Sequence, residues 1–221
     1  MCPPLAPTIS PPPCPEEALL MKLLRGMLPA GAVGALRRIR TQDEQLLTAA
    51  ETASLPARVA VRRRASGAAR ALARELFAAI GLEATDLVRR PGGMPAWPQH
   101  AVGSLAHDDV FAAAVVGRSD VLGGMGLDIE RIEPPDEDLL ALVASPLERR
   151  PMCDGGTLSP VEALFSIKEA VFKAVYPHDR MFLDFDDILI DIESRSACTC
   201  YGRRVAWRMS AQHRIMAIAW W

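Results

Sequence analysis

The chain has few cysteines, almost no net charge and no long apolar run, and each shortage excludes a class of protein. Its 221 residues include five cysteines and no pair of C-x-x-C motifs, which argues against a disulfide framework and a structural zinc site. The 25 basic and 27 acidic residues give a formal net charge of -2, so there is no overall basic surface for nucleic acid. No apolar run reaches the roughly 18 residues of a membrane span. We therefore expect neither a nucleic-acid nor a membrane partner.

The start of the chain is rich in proline, with seven prolines in residues 1–15. This stretch lacks the basic and apolar regions of a signal peptide, so we predict a flexible leader and a cytoplasmic protein. The remaining sequence reads as two blocks of mixed helix and strand, residues 16–120 and residues 121–221. This organisation favours the α+β class.

Local patterns predict the main elements of both blocks. Residues 16–28 fit a helix or a strand equally well. A helical stripe of apolar residues runs from Pro56 to Ile80, and Gly81 provides a stop signal. The Gly123-Gly124 pair predicts a hairpin between a strand at 110–116 and the next strand, which contains GLDIE. Further helices are predicted near 137–149 and 159–176, and further strands at 182–192, 205–209 and 215–220.

The GLDIE strand carries two carboxylates on one side. Asp128 and Glu130 are two residues apart, so in a strand they point to the same face, while Leu127 and Ile129 point to the opposite, core-facing side. Two unpaired carboxylates repel each other. We therefore expect a positive group next to them.

The segment FSIKEAVFKAVYP, residues 165–177, is predicted to be an amphipathic helix. Its apolar stripe lies opposite a polar face that carries Ser166, Glu169 and Lys173, with Phe165 and Phe172 off the stripe. An ion pair between Glu169 and Lys173, one turn apart, is commonly a weak, solvated surface feature. The two aromatic residues beside this face favour the alternative that it forms the wall of a cleft. The stripe consists of Ile167, Ala170, Val171, Ala174 and Val175.

Together these elements could assemble a phosphate-binding magnesium site. Asp128, Glu130 and Glu169 would supply the oxygen ligands that Mg²⁺ prefers, with water and substrate phosphate completing the octahedron. Basic side chains could hold further phosphates, and a histidine at a strand entry could join them. These candidates are Lys168, Lys173, His107 and a cationic ridge of Arg63, Arg70 and Arg74, which Arg62 and Arg64 flank.

The order and spacing of these motifs resemble a known family. GLDIE, followed about 35 residues later by FSIKEAVFKAVYP, resembles the paired signature of the 4′-phosphopantetheinyl transferases of the surfactin/enterobactin type. That signature reads (I/L)-D-x-E and then (W/F)-(S/C)-x-K-E-(A/S)-x-x-K. Four further stretches are similar to family segments, so that the resemblance covers residues 56–220: VRRRASGAARALARELFAAIGL, GMPAWP, GSLAHDDVFAAAVV and MFLDFDDILIDIE.

The resemblance implies a fold, a reaction and roles for individual residues. Two similar α+β halves would be related by a pseudo-twofold axis and bind coenzyme A between them. A serine of an apo acyl or peptidyl carrier protein would attack the β-phosphate of coenzyme A, with release of 3′,5′-ADP. The implied roles are Mg²⁺ ligation by Asp128, Glu130 and Glu169, catalysis by Asp128, Glu169 and Lys173, and coenzyme A binding by Arg62, Arg63, Arg70, His107, Lys168 and Lys173.

The sequence departs from the family pattern at two places. Asp108 follows His107, where it either raises the pKa of the imidazole or points away from it. A basic residue that commonly precedes the G-x-P turn is missing from Gly92-Gly93-Met94, so coenzyme A affinity or specificity could be altered.

Two other functions stay open at this stage. The first is a magnesium-dependent hydrolase of phosphates or nucleotides, although the chain has no P-loop. The second is a non-catalytic scaffold. For a carrier surface, the apolar residues at 139–147 and 181–182 are candidates, but we expect them to belong to the core. Because the two halves already supply the cleft, we expect a monomer.

Overall fold

A computed structural model describes residues 14–56, 59–132, 137–145, 148 and 160–221. Residues 1–13 of the predicted leader therefore lie outside the described residues. No helix in the described part of the chain is both long enough and apolar enough to cross a membrane.

The described chain contains five α-helices and eight β-strands. The helices are α1 (Pro15–Met27), α2 (Ala49–Ser54), α3 (Ala60–Ala79), α4 (Glu137–Val143) and α5 (Pro160–Asp179). The strands are β1 (Ala32–Arg38), β2 (Ala101–His107), β3 (Phe111–Arg118), β4 (Met125–Arg131), β5 (Ile188–Asp191), β6 (Ser196–Thr199), β7 (Arg204–Gln212) and β8 (Arg214–Trp220).

Capping residues explain where the helices begin and end. Pro15 starts α1, a position where its missing N–H costs nothing, and this resolves residues 16–28 as helix. The helix predicted from Pro56 begins only at Ala60. Pro56 follows a separate helix, α2, which begins at a capping box formed by Thr48 and Glu51. Gly81 has a φ of 74° and follows α3 as predicted.

The strands form two antiparallel sheets with a related topology. The first sheet has the order β1-β3-β2, and the second has the order β4-β8-β7-β6-β5. In each sheet a first strand is followed by a long helix, α3 or α5, and the last two strands form a hairpin whose second strand pairs with the first strand. In the second sheet, β5 and β6 come between the helix and this hairpin. The two parts of the chain thus repeat one strand–helix–hairpin arrangement, within a mixed α+β fold.

The predicted hairpin between β3 and the GLDIE strand is wrong. β3 lies in the middle of the first sheet, whereas β4 is an edge strand of the second sheet and pairs with β8. The backbone N–H of Gly123 donates instead to the carbonyl of Trp221 at 2.7 Å. β4 packs beside β2, the edge strand of the first sheet, so the two sheets meet along these two edges.

A core shared by both sheets joins the two parts of the chain. Leu127 and Ile129 of β4 are buried in it, as the alternation of the strand predicted. Phe111 of the first sheet and Met216 of the second belong to the same cluster, together with Leu24 of α1. Because apolar burial is the main stabilising contribution to folding, this shared cluster holds β2 and β4 in a fixed relation.

Candidate active site in the cleft between the sheets

Helix α5 covers the side of β4 that carries the carboxylates. A Cβ built on Gly126 would lie 1.8 Å from the carbonyl oxygen of Ala170 and 2.7 Å from the backbone nitrogen of Ala174. Only a residue without a side chain therefore lets the backbone of α5 lie directly on β4. This contact brings the polar face of α5 to Asp128, which is 3% exposed.

Lys173 is the positive group expected beside the carboxylates. Its Nζ donates a hydrogen bond to Asp128 Oδ1 at 2.5 Å and lies 3.9 Å from Glu169 Oε2. Ser166, which is fully buried on the same helix, donates its hydroxyl to Asp128 Oδ2 at 3.0 Å. Both carboxylate oxygens of Asp128 are thus held by α5.

The pKa values of Glu130 and Glu169 reflect the crowding of carboxylates in this cluster. Burial, and next the charge of Asp128, raise the pKa of Glu130 to about 7, and Glu169 contributes to the same shift. Burial also raises the pKa of Glu169, an effect that Lys173 opposes. For Lys173, burial alone would lower the pKa, but Asp128 raises it overall, so the lysine stays charged. Repulsion among the three carboxylates is therefore only partly neutralised.

Two members of the cluster, Glu169 and Lys173, line a cavity between α5 and the edge strand β2 of the first sheet. The cavity has a volume of about 260 Å³, and Glu169, Phe172, Lys173 and Tyr176 of α5 line one side of it. Residues of the 92–105 segment, including the Gly-Gly-Met-Pro turn and the middle of β2, line the other side. The polar face of α5 is thus the wall of a cleft, as the two aromatic residues indicated.

His107 lies close enough to Lys173 and Arg62 for their charges to act on it, and phosphate binding by His107 and Arg62 stays a prediction. Partial burial lowers the pKa of His107, and the nearby positive charges of Lys173 and Arg62 lower it further. Asp108 turns away: its carboxylate accepts hydrogen bonds from Arg214 Nε and from the backbone N–H of Phe111. Asp108 still acts to raise the pKa of His107, through a backbone hydrogen bond and through its charge, but burial outweighs both effects. Arg62 is exposed, and it forms no ion pair with any residue that the structure describes.

The cationic ridge of α3 is largely engaged by other parts of the first half of the chain. Arg74 Nη1 donates to both carboxylate oxygens of the buried Glu51, at 2.5 and 2.7 Å, and Arg63 Nε donates to Glu44 at 2.6 Å. Arg70 is 5% exposed and its Nε donates to the carbonyl of Leu87. The expected contact between Arg70 and coenzyme A is therefore corrected, because its guanidinium is buried inside the protein. Coenzyme A binding by Arg63 stays a prediction.

Lys168 is also not a ligand-binding residue. It is fully buried, and its Nζ donates to Glu148 Oε2 at 2.8 Å, to Val143 O at 2.8 Å and to Phe185 O at 2.9 Å. An ammonium group has three donors, and all three are used. The predicted role in coenzyme A binding is corrected to a structural one.

The apolar residues at 181–182 are not core residues. Met181 is 46% exposed and Phe182 is 74% exposed, although the Phe182 ring packs 5.5 Å from that of Phe172. In the other candidate segment, Val143 is buried and Leu142 is exposed, whereas residues 146–147 lie outside the described residues.

The donor set suits a hard divalent cation. A carboxylate has about four lone-pair positions, and the bonds from Ser166 and Lys173 use two of those on Asp128. Glu130 and Glu169 accept no hydrogen bond from a protein side chain in the described part of the chain. No three acidic, histidine or cysteine side chains of the described ranges form a ready-made metal cluster. Ligation of Mg²⁺ by this trio stays a prediction.

Comparisons with known proteins agree with the motifs. Residues 50–117 match the family described as 4′-phosphopantetheinyl transferase N-terminal domain, and residues 124–219 match the 4′-phosphopantetheinyl transferase superfamily. The chain is 31% identical over 177 residues to 4′-phosphopantetheinyl transferase Svp of Streptomyces mobaraensis, which covers 77% of this chain and 72% of that protein. It is 34% identical over 149 residues to 4′-phosphopantetheinyl transferase PptT of Mycobacterium tuberculosis, covering 66% of each.

A third relative extends this similarity over a larger share of its own length. The 4′-phosphopantetheinyl transferase Npt of Nocardia iowensis is 31% identical over 178 residues, which are 79% of this chain and 80% of that protein. The two family matches together span strands β2 to β8, apart from the last residue of β3 and of β8, whereas β1 lies before the first match. The chain therefore belongs to the 4′-phosphopantetheinyl transferase superfamily and transfers phosphopantetheine.

Proposed function

We propose that the enzyme transfers 4′-phosphopantetheine from coenzyme A to a serine of an apo acyl or peptidyl carrier protein, with Mg²⁺ and with release of 3′,5′-ADP. The observation that supports this most is that Lys173 contacts both Asp128 and Glu169, while Glu169 and Lys173 line a cavity between α5 and β2. Phosphoryl transfer depends mainly on charge neutralisation and positioning, and this cluster supplies both signs of charge. The cytoplasmic location and the monomeric state stay predictions.

Each group in the cluster has a task in this reaction. The serine oxygen forms a bond to the β-phosphorus of coenzyme A while the bond from that phosphorus to the bridging oxygen breaks, and 3′,5′-ADP leaves with the electron pair. Glu169, whose pKa is raised, accepts the serine proton directly or through water. Lys173 contacts the diphosphate, and Arg62 and His107 hold the nucleotide end. Asp128, Glu130 and Glu169 would hold Mg²⁺, which would neutralise charge on the diphosphate.

The test is the mass increase of an apo carrier domain incubated with coenzyme A and Mg²⁺. Asp128→Ala and Glu169→Ala should each slow the transfer at least about a hundredfold, the lower end of typical contributions of a positioned acid or base. Lys22→Met, at an exposed position of α1, is the matched control and should keep the wild-type rate. Near wild-type rates in both carboxylate variants would contradict the assignment. A panel of carrier domains of different pathways would identify the carrier that is modified.

A further inference from the structure

Asp128 is fixed by Ser166, the serine of the FSIKE motif. Ser166 Oγ donates to Asp128 Oδ2 at 3.0 Å, and Lys173 Nζ donates to Oδ1 at 2.5 Å. The two donors are seven residues apart, which is about two helical turns, so they lie on the same face of α5. They stand on either side of Ala170, whose carbonyl oxygen faces Gly126. Gly126 sets the distance between helix and strand, and the two donors set the orientation of the carboxylate.

The carboxylate needs such partners to keep one orientation. The χ2 torsion of an aspartate is broad and does not select one plane for the carboxylate. Water is also unable to replace the serine, because Ser166 is 0% exposed and Asp128 is 3% exposed. The hydroxyl of Ser166 is thus the only described side-chain donor to Oδ2.

We propose that Ser166 is a positioning residue that holds Asp128 in the orientation that binds the divalent cation. The inference rests on the proposed function, in which Asp128 is a ligand. Groups that hydrogen-bond to a metal ligand typically contribute 10- to 100-fold to metal affinity. Ser166 touches neither the substrate nor the cation, so its effect must reach the reaction through Asp128. The loss should therefore appear in the Mg²⁺ dependence of coenzyme A binding and not in its saturated affinity.

The experiment is calorimetric titration of the full-length chain with coenzyme A at a series of Mg²⁺ concentrations. For Ser166→Ala we expect the half-saturating Mg²⁺ concentration to rise about tenfold, which corresponds to about 1.4 kcal/mol. At saturating Mg²⁺, the affinity for coenzyme A should return to within about twofold of the wild-type value. Ser166→Cys keeps a weak donor of similar size and should give an intermediate shift.

Two further variants separate the possible outcomes. Thr199→Val removes another buried hydroxyl, on β6 and away from the cleft, and should leave the Mg²⁺ dependence unchanged. If Asp128→Ala abolishes the Mg²⁺ dependence while Ser166→Ala and Ser166→Cys both behave like the wild type, the role of Ser166 is refuted. The role of Ser166 is also refuted if Thr199→Val shifts the Mg²⁺ dependence of coenzyme A binding as much as Ser166→Ala does. If Asp128→Ala itself behaves like the wild type, the proposed Mg²⁺ site fails instead.

Discussion

Replacing Lys168 by methionine tests whether this motif lysine stabilises the fold or binds the substrate. The variant removes three hydrogen bonds and leaves Glu148, which is 2% exposed, without its counter-charge. Breaking a buried ion pair by removing one partner costs about 3–5 kcal/mol. In a protein of this size, 1 kcal/mol changes Tm by about 2–4 °C. We therefore expect Tm to fall by about 6–20 °C.

Thermal unfolding and coenzyme A titration of the same variants provide the measurement. Lys168→Met combined with Glu148→Gln should recover part of the lost stability, because the neutral amide leaves no unpaired charge. Its one oxygen can still accept a hydrogen bond from one of the two backbone N–H groups, of Ser145 and Ile190, that donate to Glu148. Lys22→Met is the control for a lysine that is exposed on a helix, and it should change Tm by less than about 2 °C, as surface substitutions do. Below its melting temperature, Lys168→Met should bind coenzyme A within about twofold of wild type. A small change in Tm together with a tenfold weaker binding would refute the structural role.

Three further predictions follow from neighbouring contacts. Gly126→Ala should destabilise the fold by more than about 2 kcal/mol in urea unfolding, because the added methyl group clashes with α5. The control, Gly26→Ala, places its methyl group where no atom lies within 4 Å, and it should be neutral or stabilising. The pKa of Glu130 rises from 4.5 to about 7 on folding, so as the pH rises the unfolded chain releases the Glu130 proton before the folded protein does. The free energy of unfolding, measured in EDTA, should therefore fall between pH 4.5 and about pH 7. Glu130→Gln should make this fall smaller. Arg62→Ala should weaken coenzyme A binding about tenfold with little change in Tm. Arg74→Ala should lower Tm and change the affinity for coenzyme A little.

The sequence predicted the parts of the site that depend on a single element. Two-residue alternation placed Asp128 and Glu130 opposite the buried Leu127 and Ile129, and the structure has Asp128 on the side that faces α5. Helical periodicity likewise placed Glu169 and Lys173 on one face of their helix. The sequence also contained a signal for Ser166, which shares that polar face, but only the packed structure shows the carboxylate that it contacts.

The predictions that failed depend on contacts between distant segments. Lys168 and Arg70 carry charges in a family motif, yet one is neutralised by Glu148 and the other is buried against the carbonyl of Leu87. The predicted hairpin failed for the same reason, because the Gly123-Gly124 pair connects two sheets and does not turn one strand back on its neighbour.

By itself, the sequence determined the family, the α+β class and the direction in which each carboxylate leaves its own strand or helix. Those features follow from motif spacing and from the fixed periods of helix and strand, which are local properties of the chain. Only the tertiary structure decided which basic groups remain available for a ligand. A guanidinium or ammonium group is left free or bound according to the segment that packs over it, and that segment can be anywhere in the sequence.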